Sequence, residues 1–223
     1  MVVRDYTRLV ATVLIAVVYT CWRAGVVLAQ SGVNKNNIIT IMEAVTNLER
    51  STDPALDVKS NITELTKRET LAVQQTWEEV LKLGTPTVGV ALFDLFFSRN
   101  PNYVQFFKAL RDVPAGQLKT HPRLKAHGTT VVQTLSGIIQ TLDDPETTVL
   151  ILQKTGRDHV RRKIHAEQFQ ELHRTVFVLL EQVLGPLWTP LVRESWDKAL
   201  SVVMKVVLDS LEDEEAKQRN NAV

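Results

Sequence analysis

Residues 121–160 read HPRLKAHGTTVVQTLSGIIQTLDDPETTVLILQKTGRDHV, and their punctuation decides the fold. His121-Pro122 puts a proline in a first helical turn, where its missing N–H costs nothing. Leu124, Val131, Leu135, Ile138 and Leu142 then recur along one helical face. Asp143-Asp144-Pro145-Glu146 stops that helix and caps the next, which carries Val149, Leu152 and His159. His127 lies three residues after Leu124 and four before Val131, so its imidazole points inward with them. His159 shares a stripe with Leu152 and Thr155. The centre of the chain is thus two consecutive helices, each with a histidine on its apolar face.

Working outward, the same helical grammar continues. Thr66 and Glu69 form a capping box, and Thr85-Pro86 and Thr189-Pro190 each predict a capping hydroxyl ahead of a first-turn proline. Leu71, Trp77, Val80 and Leu81 mark a helix running to about Leu83; Leu92, Leu95 and Phe96 mark another that ends at Asn100-Pro101. A short helical turn reaches Phe107, and a loop holds Pro114 and Gly116. Downstream, Ala166 to Leu184 is closed by Gly185-Pro186, and Pro190 to Leu211 forms the last long helix. Residues 213–223 read as a charged, solvated tail, and no stretch alternates convincingly as a strand. The fold class is all-α.

Residues 1–29 stand apart from this domain. Arg4 and Arg8 precede the apolar run Leu9 to Trp22, and Val27-Leu28-Ala29 offers the small residues a peptidase prefers. A cleaved secretory leader is the favoured reading, with an uncleaved signal anchor as the alternative and a mitochondrial presequence disfavoured because the segment is too apolar. Residues 30–64 form a polar extension in which Ile38, Ile41, Met42, Val45 and Leu48 predict one short helix, lying loosely on the domain at 65–212. Asn61-Ile62-Thr63 is the only N-glycosylation triplet outside the leader.

Composition excludes several chemistries. Lys and Arg total 26 against 25 Asp and Glu, a net charge of +1 that gives no field to draw nucleic acid. The single cysteine, Cys21, rules out an internal disulfide framework and multi-thiolate zinc or iron–sulfur sites. No glycine-rich phosphate loop, paired-histidine protease helix or nucleophile elbow is present in the sequence. Among the five histidines, two inward imidazoles from consecutive helices can bracket a flat metal cofactor. An inward histidine is more often a hydrogen-bonded core residue, so the pattern alone leaves both readings open.

The surrounding residues add a resemblance. Asn100-Pro101-Asn102-Tyr103-Val104-Gln105-Phe106-Phe107 resembles the proline-to-phenylalanine corner of the globins. Leu124-Lys125-Ala126-His127-Gly128 is similar to their distal-histidine segment, and Gly156-Arg157-Asp158-His159-Val160 to their proximal one. Leu184 to Pro190, followed by Trp196, and the 32-residue separation of the two histidines resemble the neuroglobin-like group in particular. The resemblance implies a globin fold, a three-on-three helical sandwich around haem b. It implies His159 as the proximal iron ligand and His127 as the distal residue and candidate sixth ligand. It further implies that Phe107 packs on the haem, Val131 covers the iron and Phe93 forms the distal wall. Phe169 lies near the proximal side, and Lys163 stands where a propionate partner is common. Thr155 departs from the usual aliphatic residue; its hydroxyl is expected to accept the second imidazole proton. Thr130 departs from the base often found in neuroglobin-like chains.

Two function classes follow from the resemblance. One is reversible binding of dioxygen or another diatomic ligand, for transport, storage or sensing. The other is redox turnover of nitric oxide, nitrite or peroxide. The exported leader favours the first, since cytosolic reductases would be out of reach. Expected partners are the diatomic ligand, a second copy in a homodimer, and a membrane only if the leader stays attached; expected localisation is extracellular, or membrane-anchored and facing outside.

Overall fold

The computed structural model describes residues 35–221; the leader lies outside them. Seven α-helices follow in order: α1 (Lys35–Arg50), α2 (Lys67–Leu81), α3 (Thr85–Arg99), α4 (Pro122–Gln140), α5 (Pro145–Val160), α6 (Ala166–Leu184) and α7 (Pro190–Asn220). Short 3₁₀ turns occupy Pro54–Asp57, Pro101–Phe106, Ala115–Thr120 and Gly185–Leu187. The only β pairing among the described residues is one isolated bridge, Lys59 to Thr66.

The predicted caps mostly form. The Glu69 N–H donates to Thr66 Oγ1 at 3.1 Å while the Thr66 N–H donates to Glu69 Oε2 at 2.6 Å, so both halves of the capping box at α2 are made. Such a cap stabilises a helix by about 1 kcal/mol. Asp144 accepts from the Thr147 N–H at 3.2 Å to start α5, and Thr189 accepts from the Val192 N–H at 3.4 Å to start α7. Thr85 differs from expectation: it is the first residue inside α3, and Gly84 precedes it at φ 87° with no side-chain cap. The chain bends by 98° between α2 and α3, and glycine supplies the left-handed backbone for that corner. The segment with Pro114 and Gly116 is likewise not plain loop, because Ala115–Thr120 winds into a 3₁₀ turn that buries Leu118.

The core has a main apolar body between the helices and a smaller second cluster of Ile138, Leu152, Phe169, Val207 and Leu211. Trp77 and Trp196 meet at 5.9 Å near its centre. Trp196 Nε1 donates to Thr76 Oγ1 at 2.9 Å, and Trp77 Nε1 donates to Ser136 Oγ at 3.0 Å, so both buried indoles are satisfied and α2 is tied to α7 and α4. A crossing of backbones positions the cavity described below. A Cβ on Gly89 of α3 would fall 2.3 Å from the Gly128 carbonyl carbon, and one on Gly128 of α4 would fall 2.6 Å from that of Gly89. Two helices this close require glycine on both sides, and the crossing sets the height of the neighbouring His127. On the other flank Gly156 lets α5 settle against the Val207 carbonyl of α7.

Two segments are more ordered than the sequence suggests. The α1 helix does not lie loosely: Val45 and Leu48 are buried, and Arg68 of α2 reaches back to hold the extension. Its Nε donates to Asp57 Oδ1 at 2.9 Å, Nη2 to the Ser51 carbonyl at 2.9 Å, and Nη1 to the Leu48 carbonyl. One guanidinium thereby satisfies carbonyls at the end of α1 that the helix itself leaves free. At the other terminus α7 continues through the charged residues to Asn220. After Pro190 no glycine or proline interrupts this helix, and pairs such as Gln218 Nε2 to Glu214 Oε1 at 3.2 Å and His165 Nδ1 to Glu215 Oε1 at 3.0 Å line its last turns. Among the described residues no single helix is long and apolar enough to cross a membrane.

Candidate functional site

A cavity opens among α3, α4, α5, α6 and the corner after α3. His127 and Val131 reach it from α4, His159 from α5, Phe93 from α3, Phe107 from the corner and Phe169 from α6. Six of the seven site residues expected from the sequence therefore meet in one place. The seventh, Lys163, does not. It sits exposed in the turn after α5, at φ 57°, and is absent from the cavity wall. Arg162 lines the cavity instead, its Nη1 donating to the Asp158 carbonyl. It lies in the turn that follows α5, three residues after His159, whose carbonyl accepts from its N–H at 2.9 Å. Ile164, Gln168 and Leu172 also contribute wall; the last two share a face of α6 at i, i+4, a register the sequence reading passed over.

The wall separating the cavity from the core is aromatic. The Phe107 ring meets Phe93 at 5.6 Å and Phe97 at 5.1 Å, both edge to face. The His127 imidazole packs against the same pair, 4.9 Å from Phe93 and 5.2 Å from Phe107. Glu171 of α6 fixes the span between two of the walls: it accepts from Arg99 Nε of α3 at 2.7 Å and from Arg174 Nη1 at 3.1 Å.

His159 is held from both sides. Phe169 presents its ring edge-on at 5.0 Å, and Nδ1 lies 2.7 Å from the Thr155 carbonyl. This corrects the role expected of the Thr155 hydroxyl, which donates to the Ile151 carbonyl at 2.9 Å instead. A hydroxyl inside a helix finds the carbonyl four residues back before it finds a side chain. A carbonyl can only accept, so Nδ1 carries the proton and the Nε2 lone pair is left free.

Both imidazoles are kept neutral. Burial pushes His127 below the usual histidine range, helped by the nearby His159 and by the charge on Arg162. Burial also lowers His159; the Thr155 carbonyl opposes this, and Arg162 adds to it. His127 retains an exposed face because it borders an open cleft, while the protein packed around the rest of the ring removes water from it. A neutral imidazole is the form that binds metal.

No group of three or more histidine, cysteine or carboxylate side chains able to hold a metal ion occurs among the described residues. Protein-ligated zinc needs three or four such donors. Two neutral imidazoles in an apolar cavity, with aromatic walls and one guanidinium, instead suit a metal that brings its own planar set of ligands and an anionic edge. These residues fit haem.

Comparison with known proteins agrees. A globin family model matches residues 90–207. The chain is 28% identical over 112 residues to a globin of Nerita albicilla, covering 50% of this chain and 71% of the relative. It is 27% identical over 143 residues to cytoglobin-1 of Danio rerio, covering 62% and 81%. A solved Drosophila melanogaster hexa-coordinate hemoglobin superposes with a TM-score of 0.60 at 24% identity, over 64% of this chain and 93% of that one, and so shares its fold. The chain belongs to the globin family, an all-α globin fold whose cofactor is haem.

Proposed function

We propose that this globin reversibly holds dioxygen or another diatomic ligand, with His159 as the axial iron ligand and His127 as the imidazole on the ligand's side. The observation that carries the reading is the meeting of two partly desolvated imidazoles from consecutive helices in one apolar cavity, one of them oriented by the Thr155 carbonyl. Haem, when bound there, would supply an iron centre able to take up a small diatomic molecule. His159 offers Nε2 as a ligand of fixed direction, since its other nitrogen is committed. His127 offers either an N–H to a bound ligand or its own nitrogen to the iron. The Phe93 and Phe107 rings keep that imidazole in the cavity and exclude water beside it. This supports a six-coordinate resting state, in keeping with the hexa-coordinate Drosophila hemoglobin of the same fold. Arg162, on the cavity wall, would offer a guanidinium to a carboxylate at the haem edge, beside the candidate Lys163.

Reversibility is tested by cycling the reduced holoprotein between dioxygen and nitrogen atmospheres. Spectra that return fully to the starting state support binding; net oxidation with loss of the ligand in each cycle would point to redox turnover.

We also infer export, on the basic start, apolar run and small-residue flank of residues 1–29. Sequencing the mature protein should find Gln30 at its terminus. An intact Met1 on a chain that needs detergent for extraction would mean an anchored form.

A further inference from the structure

We propose that Asn61 carries an N-linked glycan, an inference that rests on the export reading and goes beyond gas binding. Asn61-Ile62-Thr63 stands at the tip of a closed loop. The Lys59–Thr66 bridge clamps its base, and the Ser60 N–H donates to the Leu65 carbonyl at 2.9 Å. Asn61 is exposed at that tip. Next to it in the chain, Ile62 stands 48% exposed, apolar surface that a sugar chain rooted at Asn61 would cover.

Thr63 supplies the independent observation. Its side chain is 1% exposed, yet its hydroxyl finds no partner among the described residues. The loop does not use it: the N–H groups of Ile62 and Thr63 donate to Ser60 Oγ at 3.3 and 3.2 Å. Valine has the same shape without the hydroxyl, so packing alone favours valine, and a buried hydroxyl that loses its water for nothing is a cost to the fold. A reader that meets the chain before it folds accounts for that hydroxyl, because the acceptor triplet requires serine or threonine at this position. In the transfer, Asn61 Nδ2 forms a bond to the anomeric carbon of an oligosaccharide carried on a lipid diphosphate. The anomeric C–O bond breaks, the lipid diphosphate leaves with the electron pair, and one amide proton passes to a base; nothing is oxidised or reduced.

The test expresses the full chain, with its own leader, in animal cells and treats the product with an endoglycosidase specific for N-glycans. The inference expects a mass loss on treatment that is absent in Asn61→Gln and Thr63→Val, is kept in Thr63→Ser, and leaves Thr63→Val unfolding at a midpoint no lower than that of the enzyme-deglycosylated parent. Protein found in the medium, or protected from protease inside vesicles, but without sugar would overturn the glycan while the export reading stands. Protein found in the cytosol would overturn both. A mass loss that persists in Asn61→Gln would also overturn the assignment.

Discussion

At the scale of single residues, His159 and His127 play unequal parts because their surroundings differ. His159 is oriented by a main-chain carbonyl, whereas His127 is held only by the rings of Phe93 and Phe107. In the function we propose, His127 is therefore the imidazole that yields its place to a ligand. In the deoxygenated ferrous protein we expect sharp, split visible bands, which His127→Leu converts to one broad band; a broad band already present in the parent would mean that His127 stays off the iron. The histidines also make the haem-free protein acid-sensitive. Both imidazoles have folded pKa values below the usual 6.5, so as pH falls through that value the unfolded chain takes up protons first and stability drops. Denaturant midpoints measured at about pH 7.5 and about pH 5.5 should differ in that direction, and His127→Leu should shrink the difference. The inward faces of His127 and His159 were legible from their spacing to Leu124, Val131 and Leu152. The carbonyl at Thr155 was not, since side-chain identity says nothing of which main-chain atom lies within reach.

At the scale of elements, the backbone crossing of α3 and α4 is what places the His127 imidazole. Adding a methyl group there forces the helices apart, because the nearest atoms are main chain and have nowhere to move. Gly89→Ala or Gly128→Ala should cost about 1–3 kcal/mol, read as a lowered urea midpoint, and should change the rate of ligand binding by shifting His127. A substitution that left both quantities unchanged would show that the crossing is not a constraint. Helix starts at Thr66, Asp144 and Thr189 were legible because a capping side chain is a local signal. Gly84 rather than Thr85 caps α3 because the 98° corner, a tertiary demand, outweighs the hydroxyl preference. The length of α7 was missed for the opposite reason: the segment 213–220 has no apolar stripe to announce it, and it stays helical through the absence of a breaker and through side-chain pairs. Within the basic corner, sequence names the charges but not which of them borders the cavity: Arg162 lines it, while Lys163 stands exposed at φ 57°.

At the scale of the whole molecule, the extension and the globin body share a core. Val45 packs within the same apolar body as Trp77 and Trp196, and Arg68 spans the junction. Arg68→Ala should lower stability, as the freed carbonyls of Leu48 and Ser51 lose a charged donor. Calorimetry on that variant, and on a chain beginning after Arg50, should show both melting below the parent; a truncated chain as stable as the parent would mean the extension is only appended. In the function we propose, the helices, the glycine crossing and the aromatic wall together present two neutral imidazoles to haem. The most direct test of that claim is the haem content and absorption spectrum of the full holoprotein beside its His159→Ala variant. The variant is expected to lose haem on gel filtration and to regain a stable haem spectrum when imidazole is added. Unchanged haem content and an unchanged spectrum in His159→Ala would contradict the account.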